Sequence, residues 1–215
     1  HEFRTPLAAI LAATETLTVY RAKMTDAQIE ARLEKIRGQV MHMKNIMEDV
    51  LQLARIQAGR VEFKPESADL HVLCQDIVEE FDGQPLYRGR VNYDCPDSPV
   101  KLAYDARLLR HVISNLISNA LKYSPVEKPI NVTLTQDSTQ VTLQVRDDGI
   151  GIPAEDVKRL FEPFHRATNV GTISGTGLGL SIARQAVEMH KGTITPESQI
   201  GQGTTFTVIL PKTSE

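Results

Sequence analysis

The chain has 215 residues, enough for one medium domain or two small ones that each bury a core. Its 24 Lys and Arg against 27 Asp and Glu give a net charge of −3 with no basic block, which removes nucleic acid from the expected partners. The two cysteines, Cys74 and Cys95, lie far apart in sequence without His or Cys at metal-ligand spacing, and no apolar run approaches the roughly 20 residues that a bilayer crossing needs. Inert thiols in a reducing compartment are therefore expected. The chain opens on His1 inside what reads as helix, so the sequence is expected to continue upstream, where a sensor or membrane segment would lie.

The first segment, from His1 to about Tyr20, puts Leu7, Ile10, Leu11, Thr14 and Leu17 on one helical face, and Pro6 is expected to distort it locally. After a polar connection at 21–26, apolar residues recur at Ile29, Leu33, Ile36, Val40, Met43, Met47, Val50 and Ala54. These steps of four and three are a heptad seam, which closes near Gly59. Two helices joined by a short loop form a hairpin. Its apolar faces are most simply covered by a second copy in a four-helix bundle, which predicts a homodimer; packing of the hairpin on the rest of its own chain is the alternative.

Past Gly59 the periodicity changes, which places a hairpin domain at 1–60, a linker at 61–68 and a second domain at 69–215. Residues 61–65 read as extended, and 69–81 as an amphipathic helix carrying Leu70, Leu73, Ile77, Val78 and Phe81. Short strands follow at 91–93 and 100–103, and Asp105 is an N-cap for a helix through Tyr123. Alternation predicts strands at 130–134 and 141–145, and a helix at about 178–190 precedes strands at 193–195 and 204–210. The result is a mixed sheet covered by helices, an α+β sandwich.

Three segments of this domain carry phosphate or adenine chemistry. Asn115, Asn119 and Lys122 share one helical face, where carboxamide oxygens can ligate a hard Mg²⁺ and an ammonium can meet phosphate, with Tyr123 next to them. Alone, such amides are ordinarily solvated or locally hydrogen-bonded. Asp147-Asp148-Gly149-Ile150-Gly151-Ile152-Pro153 follows a strand; it reads either as a tight turn or as a site where a planar ligand approaches the main chain and Asp147 accepts an adenine amine. Gly175-Thr176-Gly177-Leu178-Gly179-Leu180 runs into a helix whose free N–H groups favour an anion. Between the last two, 154–174 is polar and irregular and reads as a flexible lid that Phe161 and Phe164 could pin.

In this order, with Leu160-Phe161-Glu162-Pro163-Phe164 between the second and third, the segments resemble the ATP-binding domain of bacterial sensor histidine kinases, whose fold is the Bergerat sandwich. The opening His1-Glu2-Phe3-Arg4-Thr5-Pro6-Leu7 resembles the histidine box of the same family, so the likeness spans nearly the whole chain. The resemblance implies ATP and Mg²⁺ as cofactors, with Asn119 on the metal, Asn115 and Lys122 near the phosphates, Tyr123 beside the nucleotide and Asp147 on the adenine amine. It implies nucleotide-facing roles for Gly149, Gly151, Gly175, Gly177, Leu178 and Gly179, and a γ-phosphate contact for Arg166.

The implied activity is autophosphorylation of His1, then transfer to an aspartate of a response regulator receiver domain. Glu2 would fix the imidazole tautomer, and Thr5, one turn on, would position water for dephosphorylating the regulator. A cytoplasmic catalytic part driven by an upstream sensor region is implied, and membrane anchoring of the whole protein is a family expectation. Three alternatives remain: an ATP-hydrolysing machine, which has a glutamate where this chain has Asn115; a serine kinase, which lacks the hairpin; and a non-catalytic scaffold.

Overall fold

The computed structural model describes residues 3–171, 173 and 175–212. Two compact units part between Ala58 and Gly59. In the first, α1 (Arg4–Tyr20) leads through a 3₁₀ turn (Arg21–Lys23) to α2 (Asp26–Gln57). Thr25 starts α2 with a capping box: its hydroxyl accepts from Gln28 N at 3.3 Å, and its own N–H donates to Gln28 Oε1 at 3.0 Å. The turn before Pro6, where distortion is expected, reaches back to residues that fall outside those described. From Arg4 to Tyr20 the helix runs unbroken through Pro6. Where α1 packs on α2, Ala13, Ile46 and Leu53 are buried, yet Leu33, Val40 and Met47, seven residues apart, stay 47, 50 and 52% exposed.

The second unit runs β1 (Glu66–Asp69), α3 (Leu70–Asp82), β2 (Val91–Asp94), β3 (Lys101–Tyr104), α4 (Ala106–Tyr123), β4 (Ile130–Gln136), β5 (Gln140–Asp147), α5 (Ala154–Val157), α6 (Gly179–Met189), β6 (Thr193–Gln199) and β7 (Gly203–Pro211). Strands β1 and β3 pair by themselves; the main sheet has the order β2-β4-β5-β7-β6, with β2 and β4 parallel and the other pairs antiparallel. Strand β1 begins inside the stretch read as linker. Outer strand β6 carries Pro196 at its centre.

Alternation along β4, β5 and β7 sends Val132, Leu134, Leu143, Val145, Phe206 and Val208 inward, where the register sets Val145 opposite Phe206 and Leu143 opposite Val208. Helices α3, α4 and α6 pack together with these strands, and α4 buries Leu109, Val112, Leu116 and Ile117 in the shared core. The opposite face is polar: Asn131, Thr133, Gln144, Arg146 and Thr205 line a concavity of about 510 Å³. This one-sided layering is the expected α+β sandwich.

Asp105 fixes where α4 starts. Its buried carboxylate accepts from Arg107 N at 3.1 Å, Leu108 N at 3.3 Å and Lys64 N at 3.1 Å, and its own N–H donates to His190 Nε2 at 3.0 Å. Burial alone would raise its pKa, but the Arg107 guanidinium and the backbone donors outweigh it and hold the carboxyl at about 2. Because the folded value lies below the unfolded one of about 3.9, the stabilisation is present at neutral pH and is lost as pH falls from about 4 towards 2. Asp105→Ala should lower the unfolding free energy by about 1–2 kcal/mol at neutral pH and flatten that acid-side decline, as read by urea titration across pH.

Candidate functional site

Burial of α4's apolar stripe leaves Asn115, Asn119 and Lys122 along its rim. Asn119 Nδ2 donates to Asn115 Oδ1 at 3.0 Å, which makes the Asn119 carbonyl oxygen the atom available to a hard cation. Asn115 lies against the first residue of α6, where a Cβ on Gly179 would fall 2.0 Å from its Nδ2. Alanine does not fit there, so the two helices meet through glycine. The Lys122 ammonium lies 4.9 Å from the Tyr123 ring centroid and would be 2.8 Å from a Cβ on Gly175. Tyr123 O accepts from Ile150 N at 3.2 Å, and Gly149 passes so close under it that a Cβ would be 2.4 Å away. All three segments picked out in the sequence thus converge on the last two turns of α4. Gly151 and Gly177 both have positive φ, 67° and 69°.

Asp147 ends β5 with its side chain buried; it accepts from Gly149 N at 2.8 Å and from a backbone donor of Thr204. Burial dominates over these bonds and pushes the carboxyl up to about 6. Lys122 moves the other way, to about 8, because burial penalises its charge and the Arg166 guanidinium repels it. Burial also raises the Tyr123 hydroxyl. Arg166 donates to Ile173 O, while its Nε is buried without a hydrogen-bond partner among the described residues. Among those residues neither Lys122 nor Arg166 is paired with a carboxylate.

Two unneutralised cations, an uncapped α6 N-terminus, an amide oxygen suited to a hard metal and a buried carboxylate acceptor together fit a magnesium-bound nucleoside polyphosphate.

The Leu178 side chain is wholly buried, and its N–H donates to Thr176 Oγ1 at 3.1 Å, so its main chain is the part that belongs to the glycine loop. The stretch 154–174 is less lid-like than its composition suggests. Its first half holds α5 and the buried Leu160, and Phe161 packs on the core with the Arg184 guanidinium 5.6 Å over its ring. Phe164 is 55% exposed and is tied by its main chain, N–H to Gly177 O at 3.0 Å. Thr5 lies exposed on α1; His1 and Glu2 fall outside the described residues. Sequence reasoning missed Asp156, Thr168 and Asn169, whose hydrogen bonds join positions that no local pattern links.

These features define a Bergerat-type nucleotide-binding sandwich. Residues 104–214 match the family described as histidine kinase-, DNA gyrase B- and HSP90-like ATPase, and residues 1–59 match the His Kinase A (phospho-acceptor) domain. The chain belongs to the two-component sensor histidine kinases. It is 34% identical over 216 residues to the adaptive-response sensory kinase SasA of Synechococcus sp. (strain JA-2-3B'a(2-13)), covering 98% of this chain and 57% of that relative, and so spans little more than half its length. The fold matches the Acinetobacter baumannii histidine kinase AdeS with a TM-score of 0.75 at 23% identity, over 100% of this chain and 98% of that one. It also matches full-length ShkA in complex with AMPPNP, with a TM-score of 0.71 at 25% identity, over 100% of this chain and 45% of that one. No helix of the described residues is long and apolar enough to cross a membrane.

Because the folded pKa of Lys122 lies below its unfolded value of about 10.4, the unfolded chain binds more protons between about pH 8 and 10.4, and stability contributed by this group rises with pH across that window. Lys122→Met should remove this rise and make the ligand-free protein more stable at pH 7, as read by urea unfolding from pH 7 to 10.

Proposed function

We propose that this chain is a protein-histidine kinase core that uses Mg-ATP to phosphorylate His1 and then passes the phosphoryl group to an aspartate of a response regulator receiver domain. The observation that carries the reading is the amide at 115. One turn before Asn119, where a hydrolase needs a carboxylate to deprotonate water, Asn115 is hydrogen-bonded to Asn119 and cannot act as a base. The site can hold and polarise a terminal phosphate while leaving water unactivated, which suits transfer to a better nucleophile.

Asp147 would accept the adenine amine as a carboxylate, Lys122 and Arg166 would meet the phosphates, and Gly149, Gly151, Gly175, Gly177 and Gly179 would let the main chain approach the nucleotide. Asn119 would hold Mg²⁺, which when bound would supply neutralisation of phosphate charge. An imidazole nitrogen of His1 attacks the γ-phosphorus as the bond to the β,γ-bridging oxygen breaks, and ADP leaves with the electron pair. Glu2 would accept the hydrogen bond of the other ring N–H and favour the nucleophilic tautomer. In the second step the receiver carboxylate attacks the phosphorus, the N–P bond breaks and the imidazole is regenerated. Thr5, exposed on α1, would orient water in the reverse, dephosphorylating direction.

The half-exposed heptad positions Leu33, Val40 and Met47, with Leu7 and Leu11 exposed on α1, support pairing of two hairpins in a four-helix bundle. Val40→Lys should shift the protein from dimer to monomer in sedimentation analysis without unfolding the second unit.

With γ-labelled ATP and Mg²⁺, a chain extended upstream of His1 should acquire acid-labile, alkali-stable label. His1→Gln should abolish it and Asn119→Ala should lower it at least about 100-fold. Acid-stable label, or label persisting in His1→Gln, would overturn the assignment.

A further inference from the structure

Arg166 sits in a connection that its sequence does not rigidify, yet its neighbours on both sides are anchored to one group. The carboxylate of Asp156, on α5, is only 6% exposed. Its Oδ2 accepts from both the backbone N–H and the hydroxyl of Thr168, each at 2.8 Å, and its Oδ1 lies 3.3 Å from His165 Nε2. The acidic residue before it, Glu155, behaves differently: it is exposed and meets Lys158 at 3.4 Å in a surface pair. Asp156 is therefore turned inward, with its acceptors committed to residues 165 and 168, and the bonds from Thr168 hold its carboxyl below the ordinary range. Two further bonds brace the same stretch: Asn169 Nδ2 donates to Gly151 O at 2.8 Å, and Phe164 N donates to Gly177 O at 3.0 Å. Arg166 lies inside this clasp, close enough to Lys122 and Tyr123 for its charge to act on both.

We infer that Asp156 is a positioning residue: by fixing residues 165 and 168 it holds the intervening Arg166 guanidinium over the end of α4, where the terminal phosphate of a bound nucleotide would lie. This rests on the nucleotide-site reading above and adds a residue to it. The physical reason for an acid here is that one carboxylate can take both donors of Thr168 at once while its other oxygen lies against His165, and a buried carboxylate left without them would be costly, so the loop and the acid hold each other in one arrangement. Displacement of a charged contact by an ångström or so is enough to slow a phosphoryl transfer severely.

The test compares wild type with Asp156→Asn, Thr168→Val, Thr168→Ser, Arg166→Ala and Asp156→Asn/Arg166→Ala, measuring Kd for Mg-ATP and Mg-ADP and the kcat and KM of self-labelling. Asp156→Asn should lower kcat about tenfold or more and weaken ATP several-fold while leaving ADP affinity within about twofold, because ADP has no terminal γ-phosphate for Arg166 to meet. Thr168→Val should show a smaller loss of the same kind, and Thr168→Ser, which keeps the hydroxyl donor, should restore wild-type behaviour. The double variant should be no worse than Arg166→Ala alone, since the clasp acts through that guanidinium. Additive losses, or parallel loss of ATP and ADP affinity, would overturn the inference and make Asp156 a general structural residue. If wild type is never labelled, the kinase reading fails separately, and the ATP-against-ADP comparison still decides whether Asp156 acts through Arg166.

Discussion

Burial of one face of α4 is the constraint on which the second unit depends. Leu109, Val112, Leu116 and Ile117 enter the core, and the helical repeat then leaves Asn115, Asn119 and Lys122 in a row at its rim. Asp105 sets the start of that row through its backbone bonds, and the Tyr123 carbonyl, bonded to Ile150 N, sets its end against the β5 turn. A rotation of α4 by one residue would misplace all three polar groups together and would drive the amides into the apolar layer.

The electrostatics of the site follow from the same geometry. Packing takes Lys122 and Asp147 out of water, and each responds by moving towards its neutral form, the lysine to about 8 and the aspartate to about 6. Neither meets an opposite charge: Lys122 faces a second cation, and Asp147, though bonded by the Gly149 and Thr204 backbones, faces the like charge of Asp148. A site with unneutralised positive charge at one end and a raised carboxylate at the other is arranged for a ligand that is anionic at one end and carries a donor at the other.

Much of this was legible in the sequence because α4, β4, β5 and β7 have clean periodicities and the glycine segments flank them. Both helices of the hairpin were also legible, since the polar connection at 21–26 and Gly59 bound a long heptad run. What escaped had physical causes. Strand β1 is Glu66-Ser67-Ala68-Asp69, four mostly polar residues on a two-stranded ribbon with no apolar alternation to betray them. The Asp156 clasp joins residues twelve apart through a loop, and hydrogen bonds of that kind leave no trace in a one-dimensional pattern.

Pro196 has a consequence for how copies of this chain can meet. The five-stranded sheet is open at both ends, and an open edge invites addition of a strand from another molecule. One end is the four-residue β2, too short to template much pairing, and the other is β6, where Pro196 removes a donor from the middle of the edge. The sheet is thereby protected against cross-chain extension and aggregation, while the long, half-exposed heptad stripe of α2 has no such guard.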